Sequence, residues 1–424
     1  MTPFSLWVLL PFPDAISIQA RHYEMLSPSL ALLGSIIVIL IILRLRIHAG
    51  FAVFAGSLIV SLLLLPLHSI PTLIIQSLLS YQTVRLLVVV ASALTLSRLM
   101  EEKGLLAKLA ATMESINPKL ALHFIPAVIG FVPMPAGALV SATAARDLVK
   151  RMGLAPERSA FINYWFRHIW EFSLPVYPAI LITSVLLSVP ISFVVITLFP
   201  MTILTIIFGA VISYGVLKNI PKVRGKPSGN IAYNFLRASW PILLLVPLIL
   251  LGLEAIIAFP LTLALLTLQQ RARWPELRKA FKYGLDPKIL FLLYAVMLYK
   301  GTIESSGVAH AVFSDMEALG LPALVILVAL PLLMGLATGI SMAFAGIALP
   351  LLVPYISSGL DVNGYALLLA YASGMMGLLL SPLHLCLILS VEYFEANLAK
   401  VYKYILPPSL LLETIVILIY YVAT

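Results

Sequence analysis

Two short stretches of this chain hold side chains able to bind charge or move protons. The first, "YWFRHIWEFSLPVYPAI" (Tyr164 to Ile180), brings Arg167, His168 and Glu171 within about one helical turn. Arg167 and Glu171 stand at i, i+4 and so share a helix face. The second, "YASGMMGLLLSPLHLCL" (Tyr371 to Leu387), carries His384 two residues after Pro382. A guanidinium is a permanent cation and can anchor an anion, whereas a carboxylate and two imidazoles can take up and release protons. Arg167, His168, Glu171 and His384 therefore form an ion-coupling set; the competing readings are a structural Arg–Glu pair and a hydrogen-bonded capping histidine. His168 and Glu171 also have the i, i+3 spacing of metal ligands, but the His-Glu-x-x-His zinc pattern is absent and no metal is expected. The single cysteine, Cys386, leaves no internal disulfide, and no cysteine metal site is expected.

The elements that must position these groups lie in an apolar chain. Of 424 residues, 61% are hydrophobic and 11% charged. The chain contains many apolar runs long enough to cross a hydrocarbon core of about 30 Å, and these runs lack a period of two. The expected class is an all-α polytopic membrane protein, because lipid requires each segment to satisfy its own backbone. The net charge of +9 sits in short loops, the positive-inside pattern, so no nucleic-acid partner is expected and the lipid bilayer is. Residues 1–27 read as an N-terminal extracytoplasmic or interfacial segment rather than a signal peptide.

Spans are expected at about 28–47, 50–67, 84–100, 160–187 and 192–217, then at about 234–256, 258–271, 286–303, 365–392 and 405–423. Two further apolar regions, 118–150 and 318–355, have prolines and small residues at their centres and read as re-entrant hairpins. Basic clusters such as Arg146–Lys150–Arg151–Arg158 and Lys218–Lys222–Arg224–Lys226 all fall on one side only if neither hairpin crosses. This places the N-terminus outside a cell (inner or plasma) membrane and the linker between halves in the cytoplasm. At 1.5 Å per residue, Glu171 then lies roughly 16 Å into its span, where a carboxylate must be paired, protonated or facing water.

The layout is repeated. "ALTLSRLMEEKG" (Ala93 to Gly104) matches "AVMLYKGTIESSG" (Ala295 to Gly307), "IGFVPMPAGALVSATA" (from Ile129) matches "MGLATGISMAFAGIALP" (from Met334), and Pro175 aligns with Pro382. An odd number of crossings per half makes the copies inverted, each with five spanning helices, one re-entrant hairpin and one broken helix. The domain reading is 28–217 for repeat one (hairpin 118–150, broken helix 160–187), 218–233 for a basic cytoplasmic linker, and 234–424 for repeat two (hairpin 318–355, broken helix 365–392). Proline frees the carbonyl four residues earlier and glycine permits close backbone approach, so breaks within the bilayer offer helix ends and amides to a ligand. The candidate substrate-binding residues are Pro133, Met134, Pro135, Ala136, Gly137 and Ser141 in the first hairpin. Thr338, Gly339 and Ser341 come from the second, with Ser173 and Ser381 from the breaks. Packing between helices is the alternative role for each hydroxyl.

On "VPMPAGALVSA", "FRHIWEFSLPVYPAI" and the order of hairpin and broken helix in two inverted halves, residues 28–423 resemble the ion transporter superfamily. That clan holds gluconate permeases, divalent anion:sodium symporters and arsenite permeases; the greatest likeness is to an uncharacterised prokaryotic integral-membrane family within it. The resemblance implies a homodimer with a scaffold of early spans and an elevator-type transport domain of hairpins and broken helices. The Ser-Asn-Thr motifs of the sodium-coupled dicarboxylate branch are replaced here by Pro-Met-Pro, Thr-Gly-Ile-Ser and Leu-Ser-Pro, which favours proton coupling, with Na⁺ bound by backbone carbonyls as the alternative. The expected function is secondary active symport of a small-molecule or inorganic anion with H⁺ or Na⁺, with no enzymatic activity and no cofactor beyond a bound Na⁺. The rival readings are a membrane-embedded hydrolase using His168 and Glu171, and a passive ion channel.

Overall fold

The computed structural model describes residues 27–45, 47–133, 137–217, 230–358 and 361–424. The expectations for 1–26, for Met134, Pro135 and Ala136 at the first hairpin tip, and for most of the basic linker fall outside these residues.

The first half contains ten α-helices: α1 (Pro28–Arg44), α2 (Ala49–Leu64), α3 (Ile70–Leu79), α4 (Tyr81–Glu102), α5 (Leu105–Ile116), α6 (Pro118–Ile129), α7 (Gly137–Met152), α8 (Pro156–Arg167), α9 (Pro178–Leu186) and α10 (Ile191–Leu217). The second half has ten in the same order and of similar lengths: α11 (Ile231–Leu250), α12 (Ala255–Gln269), α13 (Trp274–Gly284), α14 (Pro287–Ser306), α15 (Val308–Ala318), α16 (Ala323–Thr338), α17 (Ser341–Ile356), α18 (Gly364–Leu380), α19 (Leu385–Tyr393) and α20 (Leu398–Ala423). The α17–α18 connection adds a two-residue antiparallel ribbon, β1 (Ser357–Ser358) with β2 (Asp361–Val362), pairing Ser357 with Val362 and Ser358 with Asp361.

Local chemistry sets these boundaries. Prolines at the first turn start α1, α6, α8, α9 and α14, where the missing N–H costs nothing. Asn117, Asp286, Asn363 and Asn397 cap α6, α14, α18 and α20 by accepting from the first-turn amides. The two halves also turn in the same places. Gly104 (φ 67°) links α4 to α5, and Gly307 (φ 64°) links α14 to α15. Ser188 and Glu395, two residues beyond α9 and α19, are both left-handed. Arg98 pairs with Glu102 on α4 as Lys300 pairs with Glu304 on α14, each at i, i+4.

Among the described residues, six segments are long and apolar enough to cross a membrane. Among the ten expected spans, α1, α2 and α12 are shorter, and the 160–187 span is two short helices because it breaks at His168. Helices α3, α5, α13 and α15 occupy stretches expected to be loops or span edges; each has a proline or glycine start that spacing alone did not resolve from a turn. Outward residues such as Leu33, Ile37, Ile196, Ile203, Leu410 and Leu418 are exposed, as a lipid-facing surface requires. The protein is a multi-pass membrane protein.

The halves interlock rather than fold apart. α2 packs on α14, α4 on α12 and α13, α5 on α11, α9 on α17, and α19 on both α7 and α8. Within the second half, α16 lies along α18 with glycines at the seam. A β-carbon on Gly335 would stand 2.1 Å from the Gly374 carbonyl oxygen, and one on Gly377 2.1 Å from that of Leu332. Small residues at membrane helix seams permit this approach. Gly377→Val is expected to lower stability by about 1–3 kcal/mol through overpacking, measured as a drop in Tm in detergent. Gly34, which has no atom within 4 Å of an added β-carbon, is expected to accept alanine with unchanged or higher Tm. Equal effects at the two glycines would contradict this packing.

Candidate functional site

The site is made where both broken helices and both helical pairs meet. In the first half, α8 ends at Arg167 and the chain turns through His168–Tyr177 before α9 begins. Pro175 lacks the amide that would reach the Glu171 carbonyl four residues back. Tyr371 of α18 supplies the missing donor, its hydroxyl reaching Glu171 O at 2.9 Å. In the second half, α18 ends at Leu380 before Pro382, and Tyr164 of α8 donates to Leu379 O at 3.0 Å. Tyr164 and Tyr371 occupy matched positions in the two stretches quoted above, so each half satisfies the backbone of the other half's break. Both tyrosines are fully buried.

The first tip is drawn onto its break in the same way. Tyr177 donates from its hydroxyl to the Gly130 carbonyl, and Trp170 Nε1 donates to Ala127 O at 2.9 Å. Gly130 is required here: an added β-carbon would stand 2.3 Å from the Arg167 carbonyl oxygen. Gly137, the first residue of α7, lies directly against the Arg167 guanidinium, with an added β-carbon 2.0 Å from Nη2 and 2.6 Å from Cζ. Arg167 is 2% exposed. A buried permanent cation is thus placed beside a helix N-terminus, whose amides also carry positive partial charge.

The two histidines of the ion-coupling set come into direct contact. His168 Nε2 and His384 Nε2 are 3.0 Å apart. His168 Nδ1 lies 2.6 Å from Tyr164 O, and His384 Nδ1 lies 2.6 Å from Gly339 O. A carbonyl oxygen can only accept, so both Nδ1 atoms carry hydrogen. With both imidazoles neutral, two Nε2 lone pairs would face each other. A cation between them, either a proton or a metal ion, removes that conflict. Gly339 is left-handed (φ 62°), and an added β-carbon would meet His384 N at 2.9 Å, so glycine is needed to bring this carbonyl to the ring.

Glu171 Oε1 stands 3.7 Å from His168 Nε2, and Ser341, the first residue of α17, neighbours this carboxylate. Cys386, on the first turn of α19, closes the cluster, its sulfur within 4.8 Å of a ring nitrogen of each histidine. Sequence spacing did not indicate this cysteine, because its partner His168 is more than two hundred positions away. The signal was its place two residues after His384. His168, Glu171, His384 and Cys386 are all buried.

Other candidate hydroxyls serve packing contacts. Ser173 meets Thr202 of α10 at 2.7 Å, and Ser381 donates to Leu336 O at 2.7 Å. Thr338 donates to Met334 O at 2.8 Å. Ser141 donates to Asn163 Oδ1 at 2.7 Å, and Asn163 Nδ2 in turn donates to Ala138 O and Ser390 Oγ, which ties α7, α8 and α19 together. Pro133 lies at the tip, its carbonyl 3.4 Å from the Tyr283 hydroxyl. A cavity of about 490 Å³, lined by Tyr81, Gln82, Arg85, Ser184 and Glu254, opens at the far end of α9, and none of the ion-coupling residues lines it. Tyr164→Phe and Tyr371→Phe each leave a buried carbonyl without its donor. Each is expected to cost about 1–3 kcal/mol, read as a comparable loss of Tm in detergent; a loss at one position only would contradict the reciprocal arrangement.

With this geometry described, likenesses to known proteins can be placed. No curated protein is similar to the chain in sequence. The crystal structure of the Alcanivorax borkumensis YdaH transporter, which has an unusual topology, is similar with a TM-score of 0.63 at 16% identity. The match covers 93% of this chain and 97% of that one, and at this identity it shows the fold alone. Residues 26–423 match one family model, and the chain accordingly belongs to the family described as protein of unknown function DUF401.

Proposed function

We propose that the protein is a secondary active transporter of a small anion, coupled to H⁺ or Na⁺. The observation that carries this reading is Arg167, a buried guanidinium against the first turn of α7 at the meeting point of a helix tip and a broken helix. Two positive groups converge there, and their combined field suits a small inorganic or carboxylate anion. Helix ends and interrupted helices brought together from two similar halves are the arrangement by which secondary transporters hold substrate within the bilayer. The likeness in fold to a protein described as a transporter supports the same reading.

In this account α6–α7 and α16–α17 are re-entrant hairpins of two inverted repeats in a cell membrane, with the N-terminus outside. They move with the broken helices against a scaffold that includes α1, α2, α4, α11, α12 and α14, an elevator-type exchange, in a homodimer. Hydroxyls of Ser341 and of the tip residues Thr338 and Ser141 lie near enough to the breaks to join a substrate shell once the hairpins part.

The test is uptake by the purified full chain in proteoliposomes, with a panel of inorganic and carboxylate anions and imposed H⁺ or Na⁺ gradients. Accumulation against the anion's own gradient is expected under one of the two cation gradients. Gly137→Ala, whose β-carbon would displace the guanidinium, is expected to lower uptake at least tenfold, and Arg167→Gln to lower it further. Flux that only dissipates gradients would overturn active transport in favour of a channel. Wild-type uptake by well-folded Gly137→Ala would remove the anion from this position.

A further inference from the structure

The geometry points to a transition-metal site joining the two halves of the protein, with His168 Nε2, His384 Nε2 and Cys386 Sγ as its three clustered ligands and Glu171, which lies outside that cluster beside His168, turned in to complete the shell. It takes a zinc-class divalent ion. The ligand atoms of His168, His384 and Cys386 all lie within 4.8 Å of one another. Glu171 Oε1 is 3.7 Å from His168 Nε2. In a tetrahedral zinc site with Zn–N bonds of about 2.05 Å, two histidine nitrogens stand about 3.3 Å apart. The observed separation is 3.0 Å, so a shift of a few tenths of an ångström fits the two imidazoles to the ion, and side-chain rotation of Glu171 brings the fourth ligand in.

Three further features fit a metal and not a chance cluster. Each histidine presents Nε2 to the cluster while its Nδ1–H is held by a backbone carbonyl, Tyr164 O for one and Gly339 O for the other. This outer contact fixes tautomer and ring orientation in metal-binding histidines. The donor set is two imidazoles, one sulfur and one oxygen, which suits zinc, cobalt or copper and not Na⁺, Mg²⁺ or Ca²⁺. Finally, the Cys386 thiolate and the Glu171 carboxylate offset the two charges of the ion, with the thiol proton released on binding, so the added charge can be held in a buried place beside Arg167. Ligands from both halves make the ion a staple between them: Cys386 and His384 come from the start of α19, His168 and Glu171 from the break after α8.

The inference is independent of the anion reading, because it is measured without transport. The purified full chain would be stripped with chelator, loaded with Zn²⁺ or Co²⁺, dialysed and assayed for metal content and optical absorption. One ion per chain is expected, and the Co²⁺ form is expected to show intense tetrahedral d–d bands with a thiolate-to-cobalt charge-transfer band. Cys386→Ser should abolish the charge-transfer band, and His384→Gln should weaken metal retention at least tenfold. Should either variant fail to fold, the wild-type cobalt spectrum decides alone. Wild-type protein that is folded yet retains no metal and shows no cobalt spectrum would overturn the site and leave a shared proton between the two imidazoles. A cobalt spectrum of octahedral type without sulfur, or one unchanged in Cys386→Ser, would overturn the ligand set.

Discussion

The structure turns on two imidazoles that face each other edge to edge across the junction of the halves. Backbone carbonyls hold the far nitrogen of each ring, so neither ring can turn its own hydrogen toward the other. The near nitrogens stand 3.0 Å apart, and in the proposed site a cation between them relieves the repulsion of two facing lone pairs. Nothing inside the pair can provide one without cost, because both rings are buried away from water. The breaks, the glycine at the second tip and the placement of Cys386 all serve to bring these two nitrogens together.

The same logic extends outward. Each break leaves a carbonyl that is answered by a tyrosine from the other half, Glu171 O by Tyr371 and Leu379 O by Tyr164, while Leu380 O is answered within its own half by Tyr402. Separating the halves would leave both Glu171 O and Leu379 O without these donors, which couples the two breaks. Arg167 adds a second dependence. Its guanidinium fits only because residue 137 has no side chain, and its carbonyl is approached by Gly130 at a distance that no β-carbon would allow. The anion reading and the cation reading thus share one constriction: a positive side chain at the first tip and a set of electron-pair donors one turn further along the chain.

Much of this was legible in the residue order. The apolar lengths placed most long helices to within a few residues, because lipid imposes a fixed span on any apolar run. Pro175 and Pro382 marked the two breaks, since a proline cannot continue a helix hydrogen bond. The matched pairs Arg98–Glu102 and Lys300–Glu304 were visible as i, i+4 spacing and recur on α4 and α14. What order could not show was contact between distant positions. His168 and His384 were both singled out by type and depth, yet only the fold sets them ring to ring. Cys386 was read as chemically alone because local spacing offered it no second thiol, whereas its neighbours come from another helix. The roles of Ser173 and Ser381 were equally hidden, because whether a hydroxyl points at a carbonyl or at a ligand depends on a partner helix that the local sequence does not contain. The short helices α3, α5, α13 and α15 escaped notice for a different reason: each opens on a proline or glycine that also marks a turn, and packing rather than length makes them helical.

Metal-edge X-ray absorption on the zinc-loaded full chain tests the central claim most directly, because it reads the atoms around the ion rather than its presence alone. The account predicts a four-coordinate shell with one sulfur at about 2.3 Å and nitrogen or oxygen donors at about 2.0–2.1 Å, including the outer-ring signature of two imidazoles. A six-coordinate shell of oxygen and nitrogen without sulfur would contradict it.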